Sequence, residues 1–136
     1  QQAEALRYSS IFVTDHVVIP VEIESAYPYS ANGRVAGDWK EGYLEPLPLM
    51  AHLAALTKRI RIGTSVLIIP YRNPVVTAKM LATMDVLSGG RLILGLAASG
   101  PQVVECGYGQ PFPGPLARMR EYITLLRLLS LLARNR

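Results

Sequence analysis

The sequence predicts an α/β fold with a parallel sheet, and three observations lead to that prediction. Residues 60–69 are mostly apolar and β-branched, which is typical of a parallel strand buried on both faces. Asn73 and Pro74 then suit the first positions of a helix. Residues 91–97 form a second apolar run after that helix. A strand, a helix and a strand in this order almost always form a right-handed parallel unit.

The helix between the two strands has a recognisable beginning, buried face and end. Asn73 can accept a hydrogen bond from a free backbone N–H at the N-cap, and Pro74 needs no N–H at the first helical position. The apolar positions that recur at helical spacing are Ala78, Leu81, Met84 and Leu87. The sequence Ser88-Gly89-Gly90 ends the helix, because glycine accepts the left-handed conformation common there.

Four further elements give the order helix, strand, helix, strand, helix, strand, helix. Residues 1–8 are typical of the end of a helix, and residues 10–13 of a short strand. Residues 46–57 form the next helix, and the last helix follows Pro115. Leu49, Leu53 and Leu56 form the apolar stripe of the former helix. One face of the latter is shared by Leu116, Met119, Ile123, Leu126 and Ser130.

Two irregular segments, residues 17–45 and 99–115, follow the carboxyl ends of predicted strands and are rich in Pro and Gly. Ligands bind at these strand ends in parallel α/β folds, whether the sheet is open or closed into a barrel. Irregular segments longer than about 12–15 residues are uncommon in compact domains and are often functional. We therefore expect the functional residues beside these two segments.

Composition limits the classes of function. The 136 residues include 50% hydrophobic and 18% charged residues, enough for one packed core, and we predict a single domain over residues 1–136. No apolar run reaches the ~20 residues of a membrane span. The formal net charge of +4 is mild and no nucleic-acid motif accompanies it, so we expect no nucleic-acid partner. The single cysteine, Cys106, excludes an internal disulfide and favours a reducing, cytoplasmic location.

His16 is the first candidate for chemistry, because it follows Asp15 at the end of a predicted strand. An imidazole there can donate or accept a proton near neutral pH. The alternative is an ordinary histidine held by a backbone hydrogen bond. His52 lies inside an apolar helix and is predicted to be structural.

Hydroxyl groups interrupt the apolar strand at Thr64 and Ser65, where they could meet a ligand or hydrogen-bond locally. Arg72 and Asn73 could bind an anion at a helix N-terminus, although capping alone accounts for Asn73. Ser99-Gly100 could bring backbone N–H groups close to a phosphate or a ring, because glycine permits close approach.

Other types of site have no support in the sequence. There is no metal-ligand spacing, no pair of acidic residues and no serine elbow, so we predict no metal site.

The ordered set of short motifs resembles the luciferase-like monooxygenase family, and in particular its deazaflavin (coenzyme F420) dependent oxidoreductases. The motifs are Phe12 to Pro20, Ile62-Gly63-Thr64-Ser65-Val66, Tyr71-Arg72-Asn73-Pro74, Leu87-Ser88-Gly89-Gly90-Arg91 and Leu94-Gly95-Leu96. Segments beginning at Ser99 and Pro115 resemble one branch of that family. The resemblance extends to about Arg127.

The resemblance implies a (β/α)8 TIM barrel with coenzyme F420, or alternatively FMN, lying across the strand ends. It implies that His16 is catalytic, as an acid or base beside the ring, and that a cis peptide joins Ser65 to Val66. The cofactor-binding residues that it implies are Asp15, His16, Thr64, Ser65, Val66, Ser99 and Gly100. We predict that His16, Ser65, Val66 and Ser99 converge on one cleft, which the loop of residues 17–43 can cover.

The chain departs from the family in length. It contains about strands two to four of a barrel, so we expect an incomplete domain that lacks the first strand and the last four, and residues 128–136 do not continue the family pattern. Three hypotheses follow: hydride transfer between coenzyme F420 and a small organic substrate, an FMN-dependent monooxygenase, or a non-catalytic fragment that associates with another chain. A homo-oligomer is one such association.

Overall fold

A computed structural model describes residues 2–18 and 42–134, with side chains up to residue 129. Its centre is a parallel sheet of β1 (Ser10–Val13), β2 (Arg61–Ile68) and β3 (Leu92–Ala97), adjacent in chain order. In the register, Ser10 lies opposite Arg61 and Ile62 lies opposite Leu92. The prediction of three neighbouring parallel strands is confirmed.

The described residues include four α-helices: α1 (Gln2–Ala5), α2 (Pro46–Leu56), α3 (Pro74–Ser88) and α4 (Pro115–Arg134). A 3-10 turn, Ile69–Tyr71, follows β2, and a π-helical turn, Val103–Gly107, follows β3. The prediction that residues 99–115 are wholly irregular is therefore wrong. Glycines at 100, 107 and 109 suggested a loop, but the Val104 N–H donates to the Gly100 carbonyl at 3.1 Å and closes a helical turn. In the part of the chain described, no helix is long and apolar enough to cross a membrane.

The predicted boundaries of α3 are confirmed. The Asn73 side chain accepts hydrogen bonds from the N–H groups of Val75 and Val76 at 3.0 and 3.2 Å. Gly89 at the other end has φ of 72°, and its N–H donates to carbonyls of the last turn. The N-cap of α2 is Glu45, whose carboxylate accepts from the Leu47 N–H at 2.7 Å.

The hydrophobic core lies between the sheet and helices α2, α3 and α4. Strand β2 contributes Ile62 and Leu67 to this core, and both side chains are fully buried. Core residues from the other elements include Val13, Met50, Ala78, Leu81, Met84, Tyr122 and Leu126. Burying an apolar side chain of this size stabilises the fold by about 1.5–3 kcal/mol.

Three leucines predicted for the core are exposed: Leu56, Leu87 and Leu116. Each lies in the first or last turn of its helix, which helical periodicity cannot distinguish from the middle. In α4 the buried face runs through Tyr122 rather than Ile123. The direction to the neighbouring helix, and not the leucine spacing alone, sets the buried side.

Arg91 fixes the start of β3 to the end of α2. Its guanidinium donates to the carbonyl oxygens of Ala54, Thr57 and Ile60 at 2.8, 3.1 and 3.0 Å. It also donates to the Thr57 hydroxyl and to the Ser88 carbonyl. Arginine suits this position because its planar group carries five donors in a fixed arrangement.

Glu4 fixes the turn that precedes β2. Its Oε1 accepts from the backbone N–H groups of Lys58, Arg59 and Ile60 at 2.9, 2.5 and 2.9 Å. These hydrogen bonds, that of Ile60 first, lower the pKa of Glu4 to about 2, because they favour the charged carboxylate.

Candidate active site

Among the residues that the structure describes, helices cover one face of the sheet and leave the other largely open. Phe12 lies opposite Gly63 in the register, and its ring covers that glycine, since a Cβ at Gly63 would be 2.6 Å from the ring. Successive residues of a strand point to opposite faces. Phe12 and Val66, 49% and 37% exposed, are apolar side chains on the open side, where Val66 reaches Gly95.

A cis peptide bond joins Ser65 to Val66, as the resemblance implied. The register between β2 and β3 shifts at this point, between Thr64 and Leu67. Both residues of the cis bond are exposed, which is unusual inside a central strand. Gly95 on the neighbouring strand leaves space for the Val66 side chain, because a Cβ at Gly95 would lie 3.2 Å from Val66 Cγ1.

Asp15 is buried at the end of β1 and bound from two directions. Its carboxylate accepts from Arg72 Nη1 and Nη2 at 2.6 and 3.0 Å, a bidentate pair. The Ile68 N–H at the end of β2 donates to the same carboxylate at 2.8 Å. Arg72 also pairs with Glu45, the N-cap of α2. The ends of β1 and β2 and the start of α2 are thus joined by one charged network.

Burial in this network affects the charge of Arg72. Desolvation alone would lower the pKa of the guanidinium, but its hydrogen bonds to Asp15 and Glu45 raise the pKa overall. The side chain of Asp15 is fully buried and that of Arg72 is 11% exposed. Arg72 therefore keeps its charge, and its guanidinium is already occupied by two carboxylates and not free to bind an external anion.

His16 is exposed, immediately after this network. Its imidazole makes an edge-on contact with the Tyr43 ring, with centroids 5.3 Å apart and an interplanar angle of 68°. No hydrogen bond to the imidazole occurs among the described residues.

A stack of two tyrosines links the ends of β1 and β3. The rings of Tyr71 and Tyr108 have centroids 3.5 Å apart and lie nearly parallel, at 15°. The Tyr71 hydroxyl donates to Ser99 Oγ at 3.4 Å, and the Val18 N–H donates to the Tyr108 hydroxyl at 2.8 Å. Burial, followed by the proximity of Tyr71, raises the pKa of Tyr108 well above its usual range.

The predicted site residues fall into two groups. His16, Ser65 and Val66 are exposed, while Ser99 and Gly100 are half-buried after β3, where Ser99 has φ of 63°. In contrast, the side chains of Asp15 and Thr64 are buried, and Thr64 Oγ1 donates to the Gly95 carbonyl at 2.8 Å. The local hydrogen bond considered for Thr64 is the one that forms.

The structure does not favour the anion site that the sequence left open at the start of α3, because Arg72 is paired with two carboxylates. Asn73 caps the helix, which is the alternative that the sequence also offered for it. The convergence of His16, Ser65, Val66 and Ser99 on one cleft stays a prediction. Most of the loop of residues 17–43 lies outside the described residues.

Sequence reasoning missed Tyr71 and Tyr108 as members of this region. Tyr71 lies within the Tyr71-Arg72-Asn73-Pro74 motif, so its position was marked although its role was not. Tyr108 carried no signal, because its partner is 37 positions away in sequence. Within residues 2–18 and 42–134 no cluster of His, Cys, Asp or Glu could hold a metal ion, and Cys106 is exposed and free.

Comparison with known proteins identifies relatives of the chain. A coenzyme F420-dependent oxidoreductase of Mycobacterium tuberculosis, provisionally so named, is 55% identical over 78 residues, which are 57% of this chain and 22% of that protein. The F420-dependent glucose-6-phosphate dehydrogenase of Amycolatopsis mediterranei is 36% identical over 132 residues, 94% of this chain and 35% of that protein. The chain thus spans about a third or less of these relatives.

The fold is similar to that of solved monooxygenases. The oxygenating constituent of 3,6-diketocamphane monooxygenase from Pseudomonas putida, solved with FMN, superposes with a TM-score of 0.66 over 92% of this chain and 30% of that one, at 20% identity. The architecture is therefore part of a TIM barrel, as predicted. The model of the luciferase-like monooxygenase family matches residues 1–133. This chain belongs to the luciferase-like monooxygenase family.

Proposed function

We propose that the chain forms the cofactor-facing part of an oxidoreductase that transfers hydride between coenzyme F420 and a small organic substrate. The observation that carries the proposal is the exposed imidazole of His16 at the carboxyl end of β1, with an open strand face beside it. Two relatives whose names include coenzyme F420 support the choice of cofactor.

The residues present fit a planar ring with a polar edge. Phe12 and Val66 offer apolar surface on the open side of the sheet, and Ser65 and His16 offer exposed polar groups. Flat apolar surface with a few placed polar groups is the usual composition of a cofactor pocket. His16, Ser65, Val66, Ser99 and Gly100 would hold the ring, whereas Asp15 and Thr64 would act from within the protein, since their side chains are buried.

When bound, the deazaflavin supplies the hydride chemistry. The role proposed for His16 is to give a proton to, or take one from, the substrate atom beside the hydride centre, which suits an imidazole near neutral pH. The role proposed for the apolar surface of Phe12 and Val66 is to exclude water from the ring. The chain carries a free, exposed cysteine, Cys106, which is compatible with a reducing compartment. The proposal therefore includes a cytoplasmic location.

The test compares the 136-residue chain with a chimaera that adds the remaining barrel segments of the mycobacterial relative. Oxidised coenzyme F420 and FMN are titrated separately, and turnover is followed by coenzyme absorbance with a panel of organic donors. We expect weak binding by the chain, because an open sheet leaves the ring wet, and tight binding of coenzyme F420 by the chimaera.

A pair of histidine variants tests the catalytic role. His16→Ala in the chimaera is expected to lower turnover by about 10²–10⁴-fold, the usual contribution of acid or base catalysis. His52→Ala is the matched control, because His52 is exposed on α2. Equal turnover of both variants would remove the catalytic role from His16, and tight binding with turnover by the 136 residues alone would contradict the expectation for the open sheet.

The alternative is an FMN-dependent monooxygenase, which the solved neighbour with bound FMN favours. It predicts that the chimaera binds FMN more tightly than coenzyme F420 and consumes oxygen with reduced FMN. A chimaera that binds neither cofactor would favour the third hypothesis, a non-catalytic fragment that associates with another chain.

A further inference from the structure

We propose that Tyr71 and Arg72 are positioning residues that hold His16 from both sides. The inference rests on the proposed function for its catalytic meaning, but its structural content can be tested without a cofactor. The two residues are adjacent at the end of the 3-10 turn after β2. Arg72 binds Asp15, the residue before His16. Tyr71 stacks on Tyr108, whose hydroxyl accepts from the N–H of Val18, two positions after His16.

Arg72 fixes the backbone on the N-terminal side of His16. The bidentate pair with Asp15, at 2.6 and 3.0 Å, fixes the orientation of a carboxylate that also accepts from the Ile68 N–H. Because the Asp15 side chain is fully buried, it cannot exchange this partner for water. Lysine would not replace arginine here, since a single ammonium lacks the planar pair of donors.

Tyr71 fixes the backbone on the C-terminal side. Its ring stacks on Tyr108 at 3.5 Å, and the Tyr108 hydroxyl accepts from the Val18 N–H at 2.8 Å. Among the described residues Val18 is hydrogen-bonded to Tyr108 and not to Tyr71. Tyr71 can therefore influence Val18 only by fixing the orientation of the Tyr108 ring. Removing the Tyr71 ring should therefore release the Val18 N–H, although Tyr71 does not bind that group itself.

The contacts of His16 with the rest of the described chain do not by themselves fix its side chain. Within the described residues its imidazole has one ring contact, the edge of Tyr43, and no hydrogen bond. A side chain on a segment anchored at Asp15 and Val18 can nevertheless keep one orientation, because both flanking peptides are fixed. Holding a reacting group in place by its supporting residues is a general requirement of catalytic sites.

Each residue of the Tyr71-Arg72-Asn73-Pro74 motif has a separate structural role. Tyr71 stacks on Tyr108, Arg72 pairs with Asp15, Asn73 caps α3, and Pro74 occupies the first helical position. The first two residues thus act on the end of β1, and the last two begin the helix. A purely helical role would require only Asn73 and Pro74.

The test uses the imidazole signals of the chain in solution. The chain has two histidines, so NMR resolves His16 and leaves exposed His52 as an internal reference. We expect Arg72→Lys to shift the His16 signals and abolish their cross-peaks to Tyr43, while the His52 signals stay in place. Arg120→Lys is the matched control, because Arg120 is exposed on α4. Unchanged His16 signals in Arg72→Lys would overturn the role of Arg72.

The second arm follows hydrogen exchange of the Val18 amide. Tyr108→Phe removes its acceptor, and Tyr71→Leu removes the ring that orients the acceptor, so both are expected to raise the exchange rate by tenfold or more. Tyr71→Phe is the matched control, because it keeps the stacked ring and loses only the hydroxyl group, with its contacts to Ser99 and to the Tyr108 side chain. Protection of Val18 that survives Tyr71→Leu would overturn the role of Tyr71.

Activity in the chimaera then separates the inference from the proposed function. Arg72→Lys is expected to lower turnover by about 100-fold with a smaller change in cofactor affinity, since misplacement of a reacting group by about 1 Å costs that much. If the NMR effects occur but His16→Ala leaves turnover unchanged, the positioning is correct and the proposed function is wrong. If the NMR effects are missing, the inference fails whatever the chimaera does.

Discussion

Gly95 is the position where a single added methyl group should disturb the site most. Its Cβ would lie 2.4 Å from the Thr64 carbonyl oxygen and 3.2 Å from Val66 Cγ1. Ordinary carbon to oxygen contacts between strands are about 3.3–3.6 Å, so Gly95→Ala lacks about 1 Å of space. The obstacle is backbone of β2, which cannot rotate away. The strands must separate beside the Ser65–Val66 peptide.

The cost follows from two opposing effects. Overpacking of this kind costs about 1–3 kcal/mol, and Gly95→Ala belongs at the upper end because strand pairing is strained as well. Replacing glycine by alanine in a strand recovers about 0.5–1 kcal/mol of chain entropy. The free energy of unfolding should therefore fall by about 2 kcal/mol, which corresponds to a Tm lower by roughly 6–10 °C.

Urea unfolding of the chain, followed by circular dichroism, measures this difference. Gly100→Ala is the matched control, because nothing lies within 4 Å of its added Cβ, and it should change stability by less than about 0.5 kcal/mol. Gly63→Ala should fall between the two, since its obstacle is the ring of half-exposed Phe12, which can move. Equal midpoints for Gly95→Ala and Gly100→Ala would refute the steric argument.

Three further predictions concern stability. The pKa of Glu4 is lowered from 4.5 to about 2, so its contribution to the stability of the fold is complete above pH 4.5 and is lost as the pH falls towards 2. In Glu4→Gln the urea midpoint should therefore depend less on pH over that range, and an unchanged pH dependence would contradict this. Arg91→Lys should cost about 1–3 kcal/mol in thermal unfolding, because carbonyls at the end of α2 lose their donors, whereas exposed Arg61→Lys should cost little. Tyr122→Phe should leave stability unchanged or raise it by up to about 1 kcal/mol, since the buried Tyr122 hydroxyl has no hydrogen-bond partner among the described residues; a loss above 1 kcal/mol would show that it has one.

The strands and helix caps could be predicted because their signals are local. Residues 60–69 are rich in β-branched side chains, which predicts a strand without any reference to its partners. Asn73 and Pro74 likewise act within one helical turn. The predicted burial of the β2 strand on both faces is wrong, because Ser65 and Val66 are exposed on the side of the sheet that the described helices leave open. The exposed Leu87 could not be foreseen, because the same spacing of leucines fits the middle and the end of a helix.

The charged network could not be predicted, because it depends on register. Asp15 and Arg72 are 57 positions apart, and they meet only because β1 and β2 are parallel with Val13 opposite Thr64. The sequence placed both residues at strand ends but gave no sign that they pair with each other. The cofactor contact implied for Asp15 stays a prediction.

This pairing changes which residues near the site can act on a ligand. The buried carboxylate of Asp15 and the buried hydroxyl of Thr64 already have protein partners, so an external group would have to displace a hydrogen bond to reach either. Leaving such a buried group unpaired costs about 1–3 kcal/mol, and more when it is charged. Exposed His16, Ser65 and Val66 carry no such cost. Under the proposed function, direct contact with the ring would therefore fall to these three residues together with half-buried Ser99 and Gly100, and Asp15 would act through the backbone that it fixes beside His16.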